Sequence, residues 1–350
     1  MRLRIAIVNS SSFGRYFPEH LERLAALGEV RRIDVPPQMD GRALAEALHG
    51  FQILVVSVTP RFGPEFFAHK DETWLIARHG IGVDNIHLPS ATAHGVLVTR
   101  VTPWMERDAV AELTIALLLA LLRRIPEAAA AAREGRWAER AAFVGWELRG
   151  KTVGLIGFGN IGSRVGEILA HGFHARVLAF DPGVPSEAIR ESGAEPVDLE
   201  TLLREADILS LHAALTEENF HMLSHEAFRK MKPGVILVNT ARGELIDEAA
   251  LIAALESGRV AGAALDVVEG EPIGPDHPLL RFPNVLIVPH IAAYTHETLR
   301  RMGEKVISDV ERVLRGEIPE EVVNPEVLSR ARAFARQSPA GSGGGVAPSR

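Results

Sequence analysis

Three glycines in one short segment have the spacing of a nucleotide-binding turn. Gly157, Gly159 and Gly162 form the pattern G-x-G-x-x-G directly after the apolar run Thr152–Ile156. In such a turn the first glycine permits the bend, the second lets the backbone approach a pyrophosphate, and the third lets helix and strand pack closely. The following helix offers free N–H groups to the phosphates. The pattern alone is common, but its position between a predicted strand and a predicted helix indicates dinucleotide binding.

A carboxylate follows this turn at a useful distance. Asp181 lies 19 residues after Gly162, at the end of the next predicted strand. There it can accept a hydrogen bond from a ribose 2′-hydroxyl, and it would repel a 2′-phosphate. No Arg or Lys follows it before Arg190. The segment therefore predicts NAD rather than NADP.

Three further side chains are suited to chemistry on a 2-hydroxy/2-oxo acid. Arg242, Glu271 and His290 each follow a different predicted strand, and ligands of open parallel sheets bind outside the carboxyl ends of strands. An arginine can grip a carboxylate with two parallel hydrogen bonds. A histidine can exchange a proton with the oxygen whose charge changes as hydride moves, and a glutamate can orient that imidazole. Each could instead be an ordinary surface or loop residue, but their shared edge favours a site.

Other polar residues reach the same edge of the predicted sheet. Among the 13 histidines other than His290, most lie in helices or loops of the first part of the chain. His212 is the exception, and we expect it to line the nicotinamide pocket. The complete set of strand-end positions is Gly157, Asp181, His212, Asn239 to Arg242, Asp266 to Glu271, and His290.

Apolar runs alternate with helical patterns along most of the chain, which predicts an α/β fold with parallel sheets. The first series of predicted strands is Ile5–Val8, Ile53–Val58, Leu75–Ala77 and Val96–Val98. The second series is Thr152–Ile156, Val177–Phe180, Ile208–Leu211, Val235–Val238, Ala263–Val267 and Val285–Val288. Six strands with helical connections match the two halves of a doubly wound dinucleotide domain.

Two helices are prominent in the pattern. One runs from about Arg107 to Arg124; its apolar stretch Leu113–Leu122 is too short for a membrane span of about 20 residues, so we expect a buried helix. The other follows Tyr294 and is amphipathic. Its apolar positions are Leu299, Met302, Val306, Val310 and Leu314. The Gly/Ser/Pro-rich sequence from about Gln337 predicts a disordered end.

The composition excludes several classes of protein. The 350 residues include no cysteine, which excludes disulfides, thiolate nucleophiles and Cys-based metal sites. The net charge of -7 argues against broad binding to nucleic acids or anionic membranes. The first apolar run, Ile5–Val8, is too short for a signal peptide, so we expect a cytoplasmic protein.

Several motifs together resemble the D-isomer-specific 2-hydroxyacid dehydrogenase family. They are RHGIGVDNIHL, GLIGFGNIG, LSLHAALTEENFHML, MKPGVILVNTARGELIDEAAL, GAALDVVEGEP, PNVLIVPHIAAYT and VNPEV. The match covers roughly residues 50 to 327 and is closest to the short, phosphoglycerate dehydrogenase-like form without a regulatory domain. It implies a doubly wound Rossmann NAD domain inserted in a smaller flavodoxin-like α/β substrate domain. We expect the substrate domain at 1–104 and 294–327, the NAD domain at 105–293, and a disordered tail at 328–350.

The resemblance also implies roles for individual residues. Arg242, Glu271 and His290 would be catalytic. The cofactor contacts would be Gly157, Gly159, Asn160, Ile161, Gly162, Asp181, His212, Thr216, Thr240, Ala241 and Asp266, with Asp266 on the nicotinamide carboxamide. The substrate contacts would be Arg78, Ile81, Gly82, Arg242 and His290. No metal is expected. The family pattern further implies a cleft that closes on the substrate and a homodimer formed through the NAD domains.

Some positions depart from the family pattern. Ala214 replaces a frequent proline beside the nicotinamide, and TRVTPWMERDAVAEL replaces a more usual Asn–x–Pro–Gly–x–Asn stretch, which leaves the substrate open. Arg78 matches one phosphate-gripping arginine of phosphoglycerate dehydrogenases, whereas Val56 stands where the other is expected. The expected substrate is thus a small hydroxypyruvate- or glyoxylate-type acid or 3-phosphoglycerate.

The alternative functions are a non-catalytic, NAD-sensing corepressor and an enzyme that acts on formate or phosphite. Formate enzymes carry Gln where Glu271 stands.

Overall fold

The computed structural model describes residues 2–70 and 72–335. These residues divide into two compact units, one built from 2–105 with 296–335 and the other from 106–295. Within the described chain, no helix is both long and apolar enough to cross a bilayer.

The first unit contains a five-stranded parallel sheet covered by helices. Its strands are β1 (Arg4–Val8), β2 (Glu29–Ile33), β3 (Ile53–Val56), β4 (Leu75–Arg78) and β5 (Leu97–Thr99). The helices between them are α1 (Pro18–Leu27), α2 (Gly41–Ala47), α3 (Pro64–Ala68) and α4 (Leu88–Ala93). The strand order β2-β1-β3-β4-β5 is the flavodoxin-like order. Four of these strands are predicted by apolar runs; β2, with the sequence EVRRI, is partly exposed at the edge and lacks such a run.

The second unit contains a seven-stranded parallel sheet. Its strands are β6 (Thr152–Ile156), β7 (Arg176–Phe180), β8 (Glu195–Pro196), β9 (Ile208–Leu211), β10 (Val235–Asn239), β11 (Val260–Leu265) and β12 (Val285–Ile287). Its helices are α5 (Trp104–Leu122, mostly in this unit), α6 (Ile125–Arg133), α7 (Asn160–Glu167), α8 (Ser186–Glu191), α9 (Leu199–Glu205), α10 (His225–Lys230) and α11 (Glu248–Glu256). The order β12-β11-β10-β9-β6-β7-β8 reverses direction between β6 and β9, which is the doubly wound arrangement.

The long apolar helix α5 packs in the core of the second unit. Its residues Ala111, Leu118 and Leu122 are buried together with Val153 and Leu155 of β6. The prediction of a buried helix for this stretch is therefore confirmed. α5 therefore covers one face of the sheet.

The chain returns to the first unit through α12 (His296–Leu314), the predicted amphipathic helix. Of its predicted apolar positions, Leu299, Met302, Val306 and Val310 are buried, and Leu314 is partly buried.

A short helix, α13 (Arg332–Ala335), follows α12, and Ala331 and Ala333 are buried in the same cluster as Val306. The prediction of disorder from 328 is thus wrong for 328–335, because these small apolar side chains pack against α12. The rest of the predicted tail, 336–350, lies outside the described residues.

Candidate active site

The glycine turn has the close approaches that a dinucleotide site requires. Gly157 directly follows β6 and has φ +91°, and a Cβ there would lie 2.5 Å from the backbone nitrogen of Ala213. A Cβ on Gly162 would lie 2.1 Å from the Gly157 carbonyl oxygen, so helix α7 packs directly on the turn. Around Gly159, by contrast, a Cβ would meet no atom within 4 Å. The turn therefore leaves open space at the glycine that would face a pyrophosphate, just before the first residue of α7, Asn160.

Asp181 lies beside this turn, immediately after β7. One carboxylate oxygen accepts a hydrogen bond from Phe158 N at 2.7 Å, and the other accepts from Gly183 N at 2.8 Å. These bonds fix the carboxylate, whose remaining lone pairs suit the hydroxyls of a ribose. An open pocket next to it extends to Val184 and Val197. The arrangement fits the adenosine half of NAD.

His212 follows β9, at the reversal point of the sheet. Its Nε2 pairs with the Ser210 hydroxyl at 2.9 Å, while Nδ1 is a buried nitrogen without a hydrogen-bond partner among the described residues. Burial lowers the pKa of His212 to about 3, so the imidazole is neutral at physiological pH. In the following loop, Asn219 accepts from Thr216 N at 2.8 Å and donates to the Ala214 carbonyl at 2.7 Å. The unpartnered nitrogen beside the glycine turn is consistent with a site made to receive a ligand.

Arg242 lies on the loop after β10, and the side chain of Asn239 stabilises the conformation of this loop. The buried Asn239 side chain accepts from Ala241 N at 3.0 Å and donates to the Arg242 carbonyl at 2.8 Å. The Thr240 hydroxyl bonds that of Thr114 on α5 at 2.8 Å. Arg242 itself directs Nη1 to the Ala241 carbonyl at 2.6 Å. The loop thus presents a guanidinium at the carboxyl end of the sheet.

Asp266 fixes the backbone next to His290. Its two carboxylate oxygens accept from Ile291 N at 2.7 Å and Ala292 N at 3.0 Å. The His290 N–H donates to the Asp266 carbonyl at 2.9 Å, and His290 has φ +53°. Burial raises the pKa of Asp266, against the opposing effect of the Ile291 N–H. Because both oxygens are already engaged, Asp266 shapes the loop in addition to any contact it makes with a nicotinamide.

His290 and Glu271 form a hydrogen-bonded pair. Nδ1 of His290 contacts Oε1 of Glu271, and each side chain is about 30% exposed. A carboxylate can only accept, so Nδ1 carries the proton and Nε2 is the nitrogen that can exchange a proton with a substrate. The partly open pair therefore has the arrangement of a general acid–base supported by a carboxylate.

Residues 115–292 match the family model described as D-isomer specific 2-hydroxyacid dehydrogenase, NAD binding domain. A glyoxylate reductase from Thermococcus litoralis is 39% identical over 322 residues, which are 90% of this chain and 96% of that protein. This chain belongs to the D-isomer-specific 2-hydroxyacid dehydrogenase family. It is an NAD-dependent dehydrogenase that moves a hydride between nicotinamide and C2 of a 2-hydroxy/2-oxo acid.

Two further relatives of the dehydrogenase bear on its chemistry. The D-3-phosphoglycerate dehydrogenase of Methanocaldococcus jannaschii is 39% identical over 308 residues, covering 88% of this chain but 58% of that protein. A D-lactate dehydrogenase from Aquifex aeolicus, solved with NAD and lactic acid, has a TM-score of 0.79 at 29% identity and covers 91% of this chain and 99% of its own. These relatives are enzymes, which supports a dehydrogenase over a corepressor.

In the first unit of the dehydrogenase, Arg78 is the last residue of β4. Its side chain forms hydrogen bonds with the loop that follows this strand. Its Nε donates to the Gly82 carbonyl at 2.8 Å and its Nη1 to the His79 carbonyl at 2.6 Å. The guanidinium therefore holds the turn that carries Ile81 and Gly82.

Several residues that shape these loops are not predicted by sequence reasoning. Asn219 and Ser210 act through side-chain hydrogen bonds to residues two to five positions away, and Thr114 acts through a bond to Thr240, 126 residues later. Gly243 is a residue whose role the sequence does indicate. It follows Arg242 directly, and a Cβ on it would lie 2.1 Å from the Val268 carbonyl carbon. A glycine next to a candidate catalytic arginine indicates close backbone packing at that point.

Proposed function

We propose that this dehydrogenase reduces a small, unphosphorylated 2-oxo acid of the glyoxylate or hydroxypyruvate type, with NADH as the reductant. The observation that carries the choice is the placement of Arg78, whose guanidinium donates to the carbonyls of His79 and Gly82. A phosphate carries nearly two charges and normally requires several Arg or Lys donors. The glyoxylate reductases among the relatives are consistent with a smaller substrate.

The other candidate donors for a phosphate are few. Val56, at the end of β3, stands where a second arginine would be expected from the resemblance to phosphoglycerate dehydrogenases. Arg100 donates Nε to Glu321 Oε2 at 3.3 Å, which occupies part of its guanidinium. Arg61, exposed after β3, is the remaining candidate. Loss of one of two charged hydrogen-bond partners would weaken phosphate capture by roughly 10- to 150-fold.

In the proposed reaction, a bound nicotinamide supplies the hydride to C2. Arg242 binds the substrate carboxylate through its planar fork and polarises the 2-oxo group. His290 donates the proton from Nε2 to the oxygen that gains charge. Glu271 orients the imidazole through Nδ1. Backbone N–H groups of Ile81 and Gly82 are proposed, on the resemblance, to bind the same carboxylate.

The cofactor contacts are proposed to follow the geometry of the turn. Gly157, Gly159, Asn160, Ile161 and Gly162 would hold the pyrophosphate. Further contacts are proposed for His212, Thr216, Thr240, Ala241 and Asp266 around the nicotinamide half. Asp181 would bind the ribose hydroxyls and disfavour NADPH. Steady-state kinetics with both cofactors test this choice, and equal or better efficiency with NADPH would contradict it.

A homodimer and a cytoplasmic location are part of the proposal. The segment 125–146 exposes four large apolar side chains: Ile125 at 52%, Trp137 at 73%, Val144 at 75% and Trp146 at 52%. Exposed apolar groups concentrated in one region are typical of a protein interface. We expect a dimer in light scattering and a monomer for the double variant Trp137→Arg/Val144→Glu. A monomeric wild-type protein would contradict the dimer.

The substrate proposal is tested with a panel of acids. We expect kcat/KM for glyoxylate or hydroxypyruvate to exceed that for 3-phosphohydroxypyruvate by more than tenfold, in the wild type and equally in Arg61→Ala. If the phosphorylated acid is preferred by tenfold and loses that advantage in Arg61→Ala, then Arg61 is the phosphate donor and the proposal is wrong.

A further inference from the structure

Glu271 lies in an irregular segment rather than in a strand or a helix. β11 ends at Leu265 and a 3₁₀ turn begins at Pro278, so the described residues 266–277 contain no regular element. Within this segment Gly270 has φ +74°. A segment without helical or strand hydrogen bonds needs other contacts to keep a single conformation. The placement of Glu271 therefore depends on contacts that anchor its neighbours.

One such contact joins Glu269, two residues before Glu271, to His221. Nε2 of His221 donates to Oε2 of Glu269 at 2.8 Å. The two side chains are 32% and 36% exposed, so water reaches the pair only in part. The ring of Phe220 stacks on the imidazole with centroids 3.9 Å apart. Phe220 thus covers one face of His221 and reduces the competition of water for this bond.

A second contact fixes the backbone of His221. The residue has φ +51°, and its N–H donates to the Glu244 carbonyl at 2.8 Å. Glu244 lies two residues after Arg242, in the 3₁₀ turn Gly243–Leu245. His221 therefore touches two functional loops at once: its backbone is bonded to the loop of Arg242 and its imidazole to the segment of Glu271.

The same two loops also pack directly on each other. A Cβ on Gly243 would lie 2.1 Å from the Val268 carbonyl carbon and 2.2 Å from Glu269 N. This packing sets how closely the loops approach, but packing is not directional. A hydrogen bond has a defined geometry, so it can fix the position of one loop relative to the other.

We propose that the His221–Glu269 pair is a positioning device that holds Glu271, and through it His290, in register with Arg242. This inference rests on the proposed roles of those three residues. Without the bond, Glu269 and Glu271 shift together, because only Gly270 separates them. His290 then loses its oriented partner, which lowers kcat, and the altered register with Arg242 raises KM for the 2-oxo acid.

The experiment compares His221→Ala, Glu269→Ala and the double variant with the wild type. His225→Ala, on the exposed side of α10, is the matched control, since it removes the same side chain four residues away. His221→Gln restores a side-chain N–H that Glu269 can accept. Because Ala and Gln meet the same backbone φ of +51°, the difference between these two variants isolates the hydrogen bond.

We expect each single alanine variant to lower kcat/KM for the preferred 2-oxo acid by about 3- to 10-fold, and the double variant to lower it no further. His221→Gln should recover most of the loss. The control His225→Ala should match the wild type. The Kd for NADH should be unchanged throughout, because the glycine turn is held by β6 and α7.

Additive effects in the double variant would overturn the inference, as would an equal loss in His221→Gln and His221→Ala. A parallel fall in NADH affinity would overturn it as well, since it indicates general destabilisation. His290→Ala and Arg242→Lys are assayed alongside. If these two keep full turnover, the proposed function fails; if they lose turnover while the His221 variants match the control, only this inference fails.

Discussion

His290 has a left-handed backbone, with φ +53°, which histidine adopts more readily than most residues. Two backbone hydrogen bonds, to the carbonyls of Asp266 and Val288, keep it there. In this conformation the imidazole meets Glu271 through Nδ1. The acid–base role proposed for His290 thus depends on a conformation that the surrounding loop imposes.

Substitution of this pair has distinct expected effects. His290→Ala should lower kcat by about 10²- to 10⁴-fold, the usual contribution of a general acid, while NADH binding is kept. Glu271→Gln removes the carboxylate that accepts from Nδ1 and orients the imidazole, so kcat should also fall, but by less than in His290→Ala. Wild-type kcat in Glu271→Gln would contradict the pairing.

Arg242 should not tolerate replacement by lysine. Arg242→Lys keeps the charge but loses the planar fork, so KM for 2-oxo acids should rise and kcat should fall. Both constants come from initial rates of NADH oxidation. A variant with wild-type constants would exclude Arg242 as the carboxylate partner.

The positions of these residues could be predicted at the level of strand ends, but their contacts could not. Arg242, Glu271 and His290 follow β10, β11 and β12, and a parallel sheet brings those ends to one edge. The carboxylate of Asp266 is different: it accepts from Ile291 N and Ala292 N, 25 and 26 residues later. No periodicity in the sequence encodes a side chain-to-backbone bond of that range.

At the scale of elements, α12 contains a buried ion pair. Nζ of Lys305 donates to Oδ1 of Asp309 at 2.6 Å, and the side chains are 5% and 2% exposed. Burial raises the pKa of Asp309, and the ammonium of Lys305 opposes that shift. Removing one partner of such a pair leaves an uncompensated buried charge.

We therefore expect Lys305→Met to lower the free energy of unfolding by about 3–5 kcal/mol, and Lys305→Met/Asp309→Leu to lower it less. Unfolding in urea at pH 7 measures both. The control is Arg315→Met, which breaks the exposed pair with Glu317 and should change stability by less than about 1 kcal/mol. Equal losses in the single and double variants would contradict this account.

The two strands that sequence reasoning missed, β2 and β8, are both edge strands. β2 has charged residues on its exposed positions, and β8 consists of Glu195 and Pro196 alone. The buried strands are predicted because both faces of a parallel sheet are covered, which makes their sequences continuously apolar. An edge strand has no such requirement, since it is defined by backbone hydrogen bonds to its neighbouring strand and not by the burial of its side chains.

At the scale of the whole molecule, each unit contains a buried neutral histidine. Burial lowers the pKa of His79 to about 3, with smaller contributions from Arg78 and His20, and burial alone lowers that of His212 to about 3. The unfolded chain takes up a proton near pH 6.5 at each site, whereas the folded chain does not. The contribution of each neutral histidine to the free energy of unfolding is therefore fully present above pH 6.5. It is lost progressively as the pH falls towards 3.

The expected loss is about 1.4 kcal/mol per pH unit for each histidine below pH 6.5. Urea unfolding at pH 7.0 and pH 5.0 measures it. His79→Phe, which can pack on Phe13 as the imidazole ring does, should show a smaller loss between these two pH values than the wild type. If the variant and the wild type lose stability equally, His79 is not neutral in the folded protein.

The central claim is hydride transfer to C2 with formation of the D-isomer, and one product analysis tests it directly. The enzyme is incubated with hydroxypyruvate and NADH that carries deuterium at both C4 positions, and the glycerate is examined by NMR and chiral chromatography. We expect D-glycerate with one deuterium at C2, formed far more slowly by His290→Ala. L-glycerate, glycerate without deuterium at C2, or no turnover of any 2-oxo acid would contradict it.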